Sequence, residues 1–234
     1  MYVKHPVFKE SKSLDISIWR YMDFWKFLNL LDNKALFFSN SENLGDRFEG
    51  RIPPFVLEKI KLRDEETGSK SEEIINYIEN VCRKTFLISS WSYAERESFA
   101  LWKMYAKNKS GVAIQTDLYS LKESFNMTTK SIYIGEINYI HEKKYFFDLG
   151  NLFYPFMTKF DFYSFENELR CITVNEDYEK NKENLVDIDL KTLIKKVHIS
   201  QSSKPEFVKL IEQIKKEHNL NFEICYSKIN DSWL

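Results

Sequence analysis

Glycine, proline and cysteine are all scarce in this chain. Six Gly and five Pro in 234 residues leave no room for long glycine-rich loops or a proline-rich spacer. The three cysteines, Cys82, Cys171 and Cys225, are far apart and form no CxxC pair, which argues against a zinc ribbon or a disulfide frame and for a reducing, cytoplasmic setting. No apolar run approaches the ~18 residues of a membrane span. The opening stretch MYVKHPVFKESK lacks the apolar core of a signal peptide, so the expectation is a soluble protein with no membrane partner. Excess charge of either sign is absent too: 34 basic and 35 acidic residues give a formal net charge of −1, which provides no bulk attraction for nucleic acid or lipid. The chain contains no GxxxxGK[ST] or GxGxxG phosphate cradle, no HExxH pair and no GxSxG elbow, and its four histidines stand singly. The common NTPases, zinc enzymes and serine hydrolases are therefore poor candidates.

Aromatic residues are plentiful. Nineteen Phe, thirteen Tyr and five Trp can build a large core and also line a pocket. Apolar spacing predicts helices over 22–33, 53–61, 72–83, 97–107, 117–125 and 204–218, and strands over 16–21, 35–39, 85–91, 111–116, 131–140, 186–188, 197–200 and 222–226. The charged stretch Leu62–Ser71 is the candidate linker, and 141–158 has a mixed, mostly helical pattern. Strands and helices mix without βαβ regularity. The expected fold is α+β, with a mainly antiparallel mixed sheet and flanking helices in one domain over 1–234, residues 52–84 forming a helical insertion or lid.

The most chemically suggestive stretch is DFYSFENELRCIT, Asp161–Thr173. Read as a strand, it places Glu166, Glu168 and Arg170 on one face and Phe165, Leu169 and Cys171 on the other. Two carboxylates and a guanidinium together can bind and polarise a ligand, or can form a solvated ion-pair face in which Arg170 pairs with a glutamate. Carboxylates at Asp46, Glu49, Glu166 and Glu168 also suit a Mg²⁺-dependent nuclease. A non-catalytic module that binds a ligand or partner needs only the polar cluster.

Several features resemble a bacterial and phage-associated family, domain of unknown function 2971. They are Arg20-Tyr21, Phe38-Ser39, Asp46-Arg47-Phe48-Glu49, Ser90-Trp91, Trp102 with Tyr105-Ala106, and Lys159 followed by Glu166, Glu168 and Arg170. More distantly, the order Arg20, Ser39-Asn40-Ser41, Glu166-Asn167-Glu168 resembles ADP-ribosyltransferases built on an Arg, a Ser strand and a Glu. That likeness implies a split sheet and NAD as co-substrate. It also implies Glu168 and Glu166 as catalytic carboxylates, Arg20 as the pyrophosphate grip, Ser39 as support for the ribose or Glu168, and Tyr21 or Phe48 as a stacking aromatic. Its partners would be a protein or nucleic-acid acceptor and, for a toxin or phage-defence effector, an antitoxin or defence-system partner. Against these roles stand duller ones: Arg20 paired with Asp46 or Glu49, Ser39 satisfying a strand end, and Trp91, Trp102 and Tyr105 filling the core.

Overall fold

The computed structural model describes residues 1–9, 13–44, 48–106, 110–141, 149–177, 184–200 and 202–229. Asp46 therefore lies outside the described residues, as does much of 141–158. In chain order the first half contains β1 (Ser17–Met22), α1 (Phe24–Asn33), β2 (Ala35–Phe37), β3 (Ser39–Asn40), α2 (Pro54–Thr67) and α3 (Glu72–Tyr77). The last of these continues through a π-helical turn, Ile78–Cys82, into α4 (Arg83–Thr85), and β4 (Phe86–Tyr93) follows. Next come α5 (Phe99–Tyr105), β5 (Val112–Asp117), α6 (Leu118–Ser124), β6 (Tyr133–Glu136), β7 (Asn138–Ile140) and β8 (Thr158–Phe160). The chain ends with β9 (Glu168–Val174), β10 (Leu185–Asp187), α7 (Leu190–Leu193), β11 (Lys196–Ile199), α8 (Pro205–Glu217) and β12 (Glu223–Tyr226).

Local chemistry explains where the helices stop and start. Asp23, Ser98 and Asp117 each cap a helix by accepting a backbone N–H with the side chain. The stretch expected to be a linker is instead the last turn of α2 and its cap. Gly68 takes the left-handed conformation and its N–H donates to the Asp64 carbonyl, while the Asp64 carboxylate accepts from Ser71 N and Oγ. A capping knot of this kind has no hydrophobic period, which is why the composition looked like a loop.

Among the described residues the main sheet has eight strands in the order β12-β11-β5-β1-β4-β9-β6, with β3 also paired to β4. Only β11 and β12 run parallel within it, so the sheet is mainly antiparallel within an α+β fold. The sheet forks at β4: Leu87 and Ile88 pair with β3, whereas Ser92 and Tyr93 pair with β1. Side chains alternate between the faces. The first face carries Ile18, Met22, Leu87, Trp91, Ile114, Leu169 and Cys171 into one large core closed by α1, α6 and α8.

The second face is covered in two pieces. Phe86, Ile88 and Ile172 pack under α2 and the α3–α4 stretch through Val56, Ile60, Ile78 and Cys82. Trp19, Tyr21 and Ala113 pack under Leu101 of α5. Residues 52–84 thus supply half of the cover of this face. Between the two covers the alternation puts Ser90, Ser92, Glu168 and Arg170, a polar strip where apolar cover stops. No described helix is long and apolar enough to cross a membrane.

Beneath the α5 cover sits the buried His198. Gln115 donates its amide N–H to Ser17 Oγ at 3.2 Å, so its carbonyl oxygen accepts from His198 Nε2 at 2.8 Å. That assignment puts the neutral ring's proton on Nε2 and leaves Nδ1, 3.9 Å from Glu97 Oε1, without a hydrogen bond among the described residues. Burial holds the His198 pKa below its ordinary value, more than Glu97 raises it. The folded state thus favours the neutral ring. Stability should fall as pH drops below about 6.5, the unfolded value, toward the lower folded pKa. Urea midpoints measured between pH 7.5 and 5.5 should fall less steeply for His198→Gln than for the wild type.

Candidate active site

The polar strip is built by three chain segments meeting at Arg170. β9 places Glu168 and Arg170 on the second face. Arg170 is fully buried and donates Nη1 to Glu49 Oε2 (2.8 Å), Nη2 to Glu49 Oε1 (3.0 Å) and Nη1 to the Phe156 carbonyl (2.6 Å). Its Nε also donates to Glu168 Oε1 at 2.8 Å. Glu49 reaches this position because Gly50 turns the chain at φ +68°, with a Cβ there falling 2.4 Å from the Phe156 ring. Gly50→Ala should therefore lower the unfolding free energy by about 1–3 kcal/mol in urea titration.

Lys159 arrives from β8. Its ammonium lies 2.6 Å from Glu166 Oε2, 3.4 Å from Glu168 Oε2 and 3.4 Å from Glu49 Oε1. Among the described residues three carboxyl groups thus share two cations, with one formal negative charge left over. Burial alone would raise the Glu168 pKa, but Arg170, Lys159 and the Ser90 hydroxyl outweigh it and hold the carboxyl below its usual range. Burial likewise works against the Lys159 and Arg170 cations, and the glutamates more than reverse it.

Hydroxyls complete the arrangement. Ser90 Oγ donates to Glu168 Oε1 at 2.6 Å and Tyr105 OH to Glu166 Oε1 at 3.1 Å. The Tyr139 hydroxyl accepts the Glu168 backbone N–H at 2.8 Å. Tyr105 belongs to α5, whose start is fixed by Glu97: that carboxylate accepts from Trp102 Nε1 (2.9 Å) and Ser227 Oγ (2.5 Å). Ser90 is the member of the strip that remains exposed, so it marks the opening through which solvent comes nearest to Glu168.

The expectation of one continuous strand over Asp161–Thr173 is corrected here. Asp161–Glu166 is a 3-10 helix, Asn167 is left-handed at φ 42°, and the strand begins at Glu168. Asn tolerates that conformation better than most residues. Ser92 Oγ donates to the Glu166 carbonyl (2.7 Å) and Tyr93 N–H to the Asn167 carbonyl (2.9 Å), which ties the turn to β4. Glu166 and Glu168 therefore approach Lys159 from a turn and a strand, and both are buried, not solvated. Phe165, expected in the core, is 44% exposed.

The structure does not bring Arg20 to Glu168. Arg20 bonds Ser89 Oγ and the Phe37 carbonyl (3.3 Å) and lies over the Trp91 ring, all on the first face. Glu168 bonds Ser90, the next residue along β4, on the second. Arg20 is not paired with Glu49 either; among the described residues no carboxylate pairs with it, and burial pushes its pKa down to about 10. Its position braces the fork where β1 and β3 part.

Tyr21 and Ser39 do lie on the second face, through pairing with β5 and β4. Their polar groups are engaged: Tyr21 OH accepts from Ser98 N (2.8 Å), and Ser39 Oγ donates to the Asn40 carbonyl (3.1 Å). Phe48 meets Phe160 edge-on at 5.5 Å and, with Arg51, Pro53 and Lys159, lines a pocket of ≈ 20 Å³. That is room for about one water and no aromatic ring. Trp91 is core as expected, whereas Tyr105 is half out and bonded to Glu166.

The residue that sequence reasoning passed over is Ser90. The Ser-x-Ser that supports the glutamate is Ser90-Trp91-Ser92 on β4, and not Ser39-Asn40-Ser41. Two hydroxyls alternating on an otherwise apolar strand were the available signal. As for the nuclease reading, the Lys159 ammonium stands among the three carboxylates, and among the described residues no cluster could hold a metal ion.

No protein-family model matches the chain, and no curated protein does. The likeness to domain of unknown function 2971 therefore rests on the sequence motifs alone. Solved structures it is similar to include complexes of Thermus sp. 2.9 DarT. One is Thermus sp. 2.9 DarT in complex with NAD+, at TM-score 0.45 and 9% identity, covering 93% of this chain and 98% of that chain. Another is the same protein in complex with ADP-ribosylated ssDNA, at TM-score 0.43 and 8% identity, covering 96% and 99%. With scores and identities this low, the site is argued from its own residues.

Proposed function

We propose that this protein is an NAD-using ADP-ribosyltransferase-like enzyme whose chemistry centres on Glu168. The observation that carries the reading is the Ser90–Glu168 pair: a carboxylate held ionised by Arg170 and Lys159, in a cluster with surplus negative charge, next to an exposed hydroxyl. The reaction asks for this. When the glycosidic C–N bond of NAD breaks, its electron pair leaves with nicotinamide and the ribose becomes oxocarbenium-like. A fixed, poorly solvated carboxylate stabilises that positive charge. Glu166 then accepts the proton of the attacking acceptor group, and Ser90 keeps Glu168 in register. Arg20 braces the sheet in this account and does not grip the pyrophosphate.

The acceptor is taken to be a macromolecule, protein or nucleic acid. The setting of a toxin or defence effector with an antitoxin partner comes from the sequence resemblance. The test uses NAD labelled in both halves, incubated with purified protein with and without lysate, following nicotinamide release and label transfer. Ser90→Ala removes a hydrogen bond to a charged group, worth about 1.5–3 kcal/mol, so release should fall ten- to a hundredfold. Ser39→Ala should stay within threefold. Equal losses in both, or no release from the wild type, would leave the strip as a structural brace in a binding module.

A further inference from the structure

Lys159 has so far been given one role, helping Arg170 to keep Glu168 ionised, and its contact with Glu166 has been given none. It comes from a different element than either glutamate: β8 pairs with β7, with Tyr139 opposite Lys159, and so delivers the ammonium from the side of the strip. Arg170 serves Glu49 and Glu168 but does not reach Glu166. Among the described residues Lys159 is the one cation paired with the Glu166 carboxylate, at 2.6 Å, and Tyr105 OH is that carboxylate's other polar contact.

We infer that Lys159 is the positioning residue that lets Glu166 and Glu168 be ionised together, and thereby supplies the proton acceptor the transfer step needs. This rests on the function proposed above. Two buried carboxylates on either side of one residue repel, and without a shared cation one of them takes up a proton. A protonated Glu166 cannot accept a proton from an incoming acceptor.

The groups facing Glu166 all bear on this. Among the described residues they are Lys159 from β8 and Tyr105 from α5 on its carboxylate and Ser92 from β4 on its carbonyl, with Tyr139 from β7 nearby, Glu168 and Glu49 sharing Lys159, and Arg170 bonded to those two glutamates. Tyr163, on the same 3-10 helix as Glu166, places its ring 4.7 Å from the Lys159 ammonium. Among these, only Lys159 and Arg170 are cations, and Arg170 is committed elsewhere. The ammonium also stands on an aromatic face, which favours its charged form without competing for the carboxylates. The three carboxylates and the Tyr163 ring thus favour the charged ammonium, and they outweigh burial and Arg170, which oppose it.

The experiment compares wild type, Lys159→Met and Lys159→Arg by two readouts. Infrared spectroscopy from pH 5 to 9 detects a buried carboxylic acid directly and needs no turnover. Lys159→Met should show a protonated carboxyl at pH 7 that is absent from wild type and from Lys159→Arg, and that disappears in Lys159→Met/Glu166→Gln. In the NAD assay the acid limb of the pH profile should move to higher pH in Lys159→Met and return in Lys159→Arg. If Lys159→Met fails to fold, the double variant should recover the fold, because it removes the carboxyl left unpaired. A folded Lys159→Met with no protonated carboxyl at pH 7, or an unfolded Lys159→Met that Glu166→Gln does not rescue, would overturn the inference. A wild type without turnover would sink the transferase reading and leave the infrared result to decide the role of Lys159.

Discussion

Arg170→Met should destabilise the protein by about 3–5 kcal/mol, the range expected when one partner of a buried ion pair is removed. The guanidinium is fully buried and spans two carboxylates and a carbonyl, so its loss leaves Glu49 and Glu168 facing each other with Lys159 alone between them. A domain of this size holds roughly 5–15 kcal/mol in total, so the variant would sit near the edge of folding. Adding Glu49→Gln removes one of the stranded charges and should restore part of the loss. Urea titration of the single and double variants measures both effects. A cost below about 1 kcal/mol would mean that water or a rearranged Lys159 replaces Arg170 freely, contrary to the rigid cluster described above.

Glu168→Gln should behave in the opposite way, with a large effect on turnover and a small one on the fold. Glutamine retains an oxygen that can accept from Ser90 and Arg170, and Arg170 keeps its two bonds to Glu49. What it lacks is the negative charge. Removing one preorganised electrostatic contact of this kind costs about 10²–10³-fold in rate. Nicotinamide release at pH 7 should fall by that factor, with circular dichroism and urea midpoint close to wild type. Release within threefold of wild type would show that Glu168 is an ion-pair partner of Arg170 and nothing more.

How much of this was legible beforehand depends on the kind of information each feature carries. The mainly antiparallel α+β fold could be read from apolar periodicity, which marked β1, β4, β5, α1 and α8 to within a few residues. The same periodicity failed at Leu62–Ser71, where α2 ends in a polar cap. It failed again at Asn167, where a single left-handed residue breaks a run that alternates convincingly on paper. Glu166, Glu168 and Arg170 could be picked out because charge clustered within five residues is unusual in a strand. Their burial could not, because the groups that neutralise them, Glu49 and Lys159, are distant in the chain or on another element.

Which Ser-x-Ser bonds Glu168, and where Arg20 lies, were hidden for a related reason. Chain order alone favoured Ser39, but the sheet forks at β4, and only the fork reveals that Ser90 and not Ser39 reaches Glu168. Arg20 sits one alternation step away from the face that carries Glu168. Nothing in a linear sequence fixes which neighbour a β1 side chain will have where β1 and β3 share the edge of β4.

The most direct test of the central claim is a crystal structure with a non-cleavable NAD analogue. The account predicts that the nicotinamide-bearing ribose lies on the second face, against Ser90 and Glu168 and alongside α5, with Arg20 still bonded to Ser89 on the far side of the sheet. An analogue bound on the first face against Arg20 and Trp91, leaving Ser90 and Glu168 untouched, would contradict it.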